Sequence, residues 1–158
     1  MSVNSVVVLS AVRSAVGTFN GSLKGIEPAE LAGQVLKAGI EKSGVEAEKY
    51  ESIVVGNTIP TESRFPYVAR VASIQAGMSL NSTAMALNRL CSSGLQAVVN
   101  SAQGIMLGDH ELAIGGGVES MSRVPMGSDG GAMVTDPQAS FDAYFVPQGI
   151  SADLIATK

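Results

Sequence analysis

Residues 83–118 read TAMALNRLCSSGLQAVVNSAQGIMLGDHELAIGGGV, and this pattern decides the fold. TAMALN is a short apolar run of strand length. From Ser93 to Leu107, the residues Leu95, Val98, Val99, Ala102, Ile105 and Met106 recur on one broad helical stripe, which Gly108 closes. After a turn at Gly108-Asp109, ELAIGGGV supplies another strand. A strand, a helix and a strand joined this tightly predict a βαβ crossover.

Upstream the same alternation continues. SVVVLSAV (5–12) is a β-branched run that reads as a first strand, and the glycine-punctuated GTFNGSLKG follows as a loop. A helix is expected from Pro28, a residue suited to a first turn, with Leu31, Val35, Leu36 and Ile40 on one face and Ser43-Gly44 as its end. SIVVGNTI (52–59) reads as a second buried strand, and residues 67–76 as a second helix stopped by Gly77. Four strands alternating with three helices place the chain in the α/β class, with a parallel sheet covered by helices.

Beyond Val118, residues 119–149 show no sustained period and are rich in Gly, Pro, Ser and Met. A stretch of this length without structure is commonly a functional loop. The final ISADLIATK starts like a helix at Ser151 and stops without a C-cap. The expected organisation is an α/β domain over residues 1–119 and part of a second, loop-rich domain over residues 120–158.

Composition narrows the function classes. The chain has 158 residues, enough to bury a real core, and 46% of them are apolar against 15% charged. A net charge of −4 with no Lys/Arg cluster argues against a nucleic-acid partner. No apolar run is long enough to span a bilayer, and the N-terminus lacks a signal-peptide pattern, so no membrane partner and a cytoplasmic location are expected.

Cys91 is the single cysteine and cannot form an internal disulfide. It falls just past a strand and just before the strongest helix, where parallel α/β sheets place their ligands. The unpaired N–H groups and the positive end of a helix dipole favour an anion there, and Ser92, Ser93 and Gly94 keep the approach open. Position alone leaves two readings: a nucleophile whose neighbouring N–H groups serve an oxyanion, or a small hydrophobe filling the junction.

A thiol nucleophile usually needs a base, and His110 is the one histidine. It precedes the last strand and so lies at the amino edge of the sheet, about 20 Å from the carboxyl edge, as a solvated turn residue. IGGGVES lacks the spacing of a phosphate loop; its glycines are expected to keep the site floor free of side chains. Met121, Met126 and Met133 offer an adaptable apolar surface or plain packing. Metal-ligand spacing is missing, so no catalytic metal is expected.

The segment NRLCSSGLQAVVNSAQGIMLGDHELAIGGGVESMSRVP resembles the N-terminal half of a thiolase. RSAVGTFNGSL, VVGNTIPTESRFPYVARVASIQAGM and GISADLIATK resemble further pieces of the same family, so the likeness runs along the whole chain. It implies that Cys91 takes up an acyl group from coenzyme A, in reversible thiolysis of 3-ketoacyl-CoA or Claisen condensation with acetyl-CoA. Coenzyme A is then a substrate, and no cofactor is implied.

The resemblance also implies an activating histidine and a second cysteine in a C-terminal half, a last strand of the sheet beyond Lys158, and a homodimer or tetramer. The chain alone is therefore expected to be inactive. Pro147 and Gln148 stand where many short-chain members carry a His-Met pair, which implies substrate binding near Gln148 and leans toward the broader 3-ketoacyl-CoA enzymes. Two other readings remain open: a ketosynthase-type condensing enzyme, because CSSGL resembles its nucleophile motif, and a non-catalytic dimerisation or scaffold fragment.

Overall fold

A computed structural model describes residues 4–60, 67–130 and 135–158. They fall into two compact units, Met1–Pro125 and Met126–Lys158.

In the first unit the elements follow in the order α1 (Pro28–Ser43), β1 (Ser52–Gly56), α2 (Val68–Gln75), β2 (Thr83–Leu87), α3 (Ser93–Leu107) and β3 (Ala113–Gly117). The strands form a parallel sheet in the order β2-β1-β3. Ser52 pairs with Thr83 on one side and Ala113 on the other, and Gly56 with Leu87 and Gly117. All five residues of the central β1 are buried, which explains why its sequence is a continuous apolar run rather than an alternation.

Alternate residues of β1 serve different layers. Ile53 and Val55 join the main core with Ala29, Ile40, Val68 and Met78, against α1 and α2. Gly56, with Gly115 and Gly117 of β3, lies under α3. A Cβ on Gly56 would stand 2.4 Å from the Ser93 carbonyl carbon, and one on Gly115 would stand 2.6 Å from Val98 Cα. The helix therefore rests directly on strand backbone.

That close seat reverses one expectation about α3. Its buried residues are the small ones, Ser93, Ala97, Ser101 and Gly104. Large apolar residues of the predicted stripe face outward, with Leu95 71%, Val98 45% and Met106 42% exposed. Hydrophobic periodicity locates an amphipathic helix but does not say which face meets this chain's own sheet. Glycine strands accept small residues, so here the small face is the inner one.

The expected first strand is a second correction. Residues 4–12 have no regular structure and join no ladder among the described residues. Val7 is 73% and Val8 80% exposed. The segment is held by side-chain bonds instead: Asn4 Nδ2 donates to the Ile105 carbonyl at 3.2 Å, Ser10 Oγ to that of Gly39 at 2.7 Å, and Lys42 Nζ to that of Ala11 at 3.2 Å. A β-branched run has strand propensity, but a strand exists only where it pairs with a neighbour, and residues 5–12 pair with none among the described residues.

The second unit contains α4 (Pro137–Asp142) and α5 (Gln148–Thr157). The Asp136 side chain caps α4 by accepting from Ala139 N–H at 3.0 Å, with Pro137 in the first turn. Six residues are too few to display a period, so the sequence pattern missed this helix. The final helix begins at Gln148, after Pro147, rather than at Ser151. Among the described residues no helix is long and apolar enough to cross a membrane.

Candidate active site

The carboxyl ends of the three strands each deliver a short polar segment to one place. Asn57 and Thr58 follow β1, residues 88–92 follow β2, and Val118 and Glu119 follow β3. This is the edge at which a parallel sheet with helical crossovers binds ligands. A cavity of about 330 Å³ lies there, bordered by Gly56, Thr58, Leu90, Cys91, Gly117 and Glu119.

Cys91 is exposed at this cavity, one residue before Ser92, the N-cap of α3. The turn that presents it is tightly specified. Leu90 has φ of +50°, a left-handed conformation that a branched residue adopts only when its surroundings hold it there. Its N–H donates to Asn88 Oδ1 at 2.8 Å. Its carbonyl accepts from Ser93 N–H at 3.0 Å, Ser93 Oγ at 2.6 Å and Thr58 Oγ1 at 3.3 Å. Ser93 Oγ in turn accepts from Arg89 N–H at 2.8 Å. Among the described residues Cys91 is exposed, and the buried place at this junction belongs to Ser93.

A second set of bonds ties the turn to the other strand ends. Asn88 Nδ2 donates to the Thr58 carbonyl at 3.0 Å. Asn57 is buried, and its Nδ2 donates to the Val118 carbonyl at 3.1 Å and to Glu119 Oε1 at 2.9 Å. The same Glu119 oxygen accepts from Thr58 N–H. Asn57, Thr58 and Glu119 were not singled out in the sequence: Asn57 and Thr58 lie inside the run expected as a strand, although the strand ends at Gly56, whereas Glu119 follows the run ELAIGGGV and could have been found from that position.

His110 lies elsewhere. It comes after the C-terminus of α3, a helix of 15 residues and so about 22 Å long, while Cys91 comes before its N-terminus. Its ring is not a solvated turn residue: it is half-buried against Gly104, where an added Cβ would stand 2.1 Å from Cε1, and Nε2 lies 3.3 Å from the Ser101 carbonyl oxygen. Glycine at 104 leaves room for the ring, a packing that sequence spacing does not reveal. His110 borders a separate cavity of about 530 Å³ with Asn4, Ser5 and Glu111.

The remaining candidates are dispersed. Met121 and Met126 are exposed, and Met133 lies outside the described residues. Gln148 is the exposed first residue of α5 in the second unit. Gly115 to Gly117 are strand residues with no phosphate-loop geometry; Gly115 and Gly117 seat α3, while a Cβ on Gly116 would meet nothing within 4 Å.

Comparison with known proteins adds an independent finding. Residues 6–155 match the family model described as thiolase, N-terminal domain. The chain is 51% identical over 120 residues to beta-ketothiolase BktB of Cupriavidus necator, a match covering 76% of this chain and 30% of the relative. The acetyl-CoA acetyltransferase of the same organism is 42% identical, with the same coverage.

Among solved structures, the Bacillus anthracis acetyl-CoA acetyltransferase superposes with a TM-score of 0.73 at 39% identity, over 77% of this chain and 30% of that one. Human mitochondrial 3-ketoacyl-CoA thiolase, in complex with CoA, gives 0.72 at 34%, over 75% and 30%. The chain matches about 30% of the length of these relatives.

Proposed function

Because the chain belongs to the thiolase family, matching its N-terminal domain, we propose that it supplies the acyl-accepting part of a thiolase active site, with Cys91 as the nucleophile. The observation that carries this reading is the exposed Cys91 at the cavity where three parallel strands end, on a turn bonded to the β1 exit, which is itself bonded to the β3 exit.

In thiolysis of a 3-ketoacyl-CoA, the Cys91 thiolate attacks the keto carbonyl carbon. The bond between that carbon and its CoA-side neighbour breaks, and its electron pair leaves with the acetyl-CoA fragment, which takes up a proton. The shortened acyl group remains on Sγ as a thioester. The thiolate of a second coenzyme A then attacks the thioester, releasing the shortened acyl-CoA and regenerating Cys91. A thioester divides one difficult step into two easier ones. The Cys91 backbone N–H is proposed to donate to the oxyanion formed in each attack. Coenzyme A enters as substrate, and no metal or prosthetic group takes part.

Proton transfer needs groups beyond those at this cavity, since His110 sits at the other end of α3. The family resemblance puts an activating histidine and a second cysteine in a C-terminal half, which we propose as the partner of this chain. The outward apolar face of α3, with Leu95, Val98 and Met106, supports such a partner, because contiguous exposed apolar residues mark an interaction surface. Alone, the chain is proposed to show negligible turnover. Pro147-Gln148 favours the broader 3-ketoacyl-CoA enzymes over the short-chain ones, with Gln148 on the substrate path.

The test is a chimera in which this chain replaces the matching segment of the Cupriavidus necator beta-ketothiolase. Thiolysis of acetoacetyl-CoA and of longer 3-ketoacyl-CoAs is expected, with loss on Cys91→Ala. Thiolysis that survives Cys91→Ala would overturn the nucleophile assignment. A ketosynthase would cleave neither substrate appreciably.

A further inference from the structure

We propose that Glu119 is the positioning residue of the nucleophile turn: one carboxylate oxygen, by accepting from two groups of the β1 exit, fixes the scaffold on which Leu90 and Cys91 are held. The proposal builds on the assignment of Cys91 as nucleophile, but its geometry stands on its own.

The chain of bonds is continuous. Glu119 Oε1 accepts from Asn57 Nδ2 at 2.9 Å and from Thr58 N–H. Those two bonds orient the Thr58 peptide and side chain. The Thr58 carbonyl then receives Asn88 Nδ2 at 3.0 Å, while Thr58 Oγ1 donates to the Leu90 carbonyl at 3.3 Å. Asn88, so oriented, presents Oδ1 to the Leu90 N–H at 2.8 Å. Leu90 is the residue whose left-handed φ aims Cys91 at the cavity. A strained conformation persists only where neighbours over-determine it, and Glu119 is the common acceptor at the base of that set.

A carboxylate suits the task. It is acceptor-only when ionised, with lone pairs enough for two donors on one oxygen, and its bonds to N–H groups are charge-assisted. Glu119 follows Val118, whose carbonyl is also held by Asn57 at 3.1 Å, so the group is anchored at the end of β3 rather than on a free loop. The arrangement is a positioning one. Glu119 borders the same cavity as Cys91, but its recorded bonds all run to the strand exit.

The proposal separates acceptor geometry from proton transfer. Glu119→Gln keeps a carbonyl oxygen for Asn57 and Thr58, whereas Glu119→Ala removes it. Amide hydrogen exchange of the 158-residue chain is the main readout. Local opening free energies are independent of the global one, so Glu119→Ala is expected to speed exchange at Leu90 and Ser93 about tenfold while the β1 amides keep their protection. Glu119→Gln is expected to stay within about twofold of the parent. Because Cys91 is the one thiol, its iodoacetamide alkylation rate reports the same turn and is expected to change about threefold in Glu119→Ala and not in Glu119→Gln.

Unchanged exchange at Leu90 in Glu119→Ala would overturn the proposal, as would a Gln variant as loose as the Ala variant. If Glu119→Ala fails to fold, Asn88→Asp carries the test: it keeps the acceptor for Leu90 N–H but loses the donor to Thr58, and protection at Leu90 equal to the parent's would overturn the linkage. Neither readout uses acyl-CoA. Failure of the nucleophile reading appears separately, as thiolysis in the chimera that persists after Cys91→Ala.

Discussion

Gly56 at the end of β1 and Ser93 at the start of α3 meet backbone to backbone: a Cβ on Gly56 would stand 2.4 Å from the Ser93 carbonyl carbon and 2.7 Å from the Gly94 nitrogen. No side-chain rearrangement relieves such a contact, because the atoms opposite belong to the main chain. Gly56→Ala therefore has to push the N-terminus of α3 away from the sheet. It is expected to cost about 1–3 kcal/mol, as overpacking does, and to alter Cys91 alkylation. Gly94→Ala, whose Cβ meets nothing within 4 Å, should leave the thermal midpoint nearly unchanged. Equal melting temperatures for the two variants would contradict this seating.

Ile53 is fully buried in the centre of the core between α1, α2 and the sheet. Truncation to alanine removes its packing and leaves a cavity, which costs about 2–5 kcal/mol. Urea unfolding of Ile53→Ala should show a lowered midpoint with an unchanged slope. A loss below about 1 kcal/mol would mean that the core collapses around the site.

Glu51 accepts from Glu111 N–H at 2.6 Å and from Leu112 N–H at 3.3 Å, joining the start of β1 to the start of β3. The Glu111 bond most of all, then the Leu112 bond, hold its carboxyl below the ordinary 4.5, with a smaller contribution from the charge of His110. The folded state thus binds this proton more weakly than the unfolded state. Its stabilisation is fully present above pH 4.5 and is lost as acidification carries the group through its lower folded value. Glu51→Gln should flatten the fall in thermal midpoint below pH 4.5, and a parallel fall in both proteins would refute the link.

His110 is placed for packing and not for chemistry. In the chimera described above, His110→Ala should keep thiolysis within about twofold of the parent, as expected for a group a helix length from the nucleophile. The thermal midpoint should fall, since the ring fills the space over Gly104. A large drop in turnover at unchanged stability would bring His110 back as a candidate base.

Leu95 and Met106 project from one face of α3 with 71% and 42% of their surface exposed. Leu95→Glu and Met106→Lys should raise the solubility of the isolated chain with stability changes within about 0.5 kcal/mol. In the chimera the same changes should impair assembly and turnover, because there the face is proposed to be covered. Unimpaired turnover would remove the support this face lends to a C-terminal partner.

Much of this was legible along the chain. The α/β class, α1, α2 and α3 with their glycine ends, the three paired strands and the place of Cys91 at a strand-to-helix junction all followed from apolar spacing and punctuation. These are local properties, set by backbone conformation and by residues a few positions apart. Residues 5–12 show the boundary: the same β-branched signal that located β1 also marked a segment that pairs with nothing described, because propensity does not by itself supply a partner strand.

The sequence by itself therefore determined α1, α2, α3 and the three paired strands, their order, and the place of Cys91 at a strand-to-helix junction. Only the tertiary structure decided which face of α3 turns inward, that His110 packs on Gly104, and that Glu119, Asn57, Thr58 and Asn88 converge on Leu90. The physical reason is the range of the interactions. Helix periodicity and capping act over one or two turns, whereas the bonds that link the Cys91 turn to the other strand ends join residues 32 or 62 positions apart, which meet only after the parallel sheet has brought three strand ends to one edge.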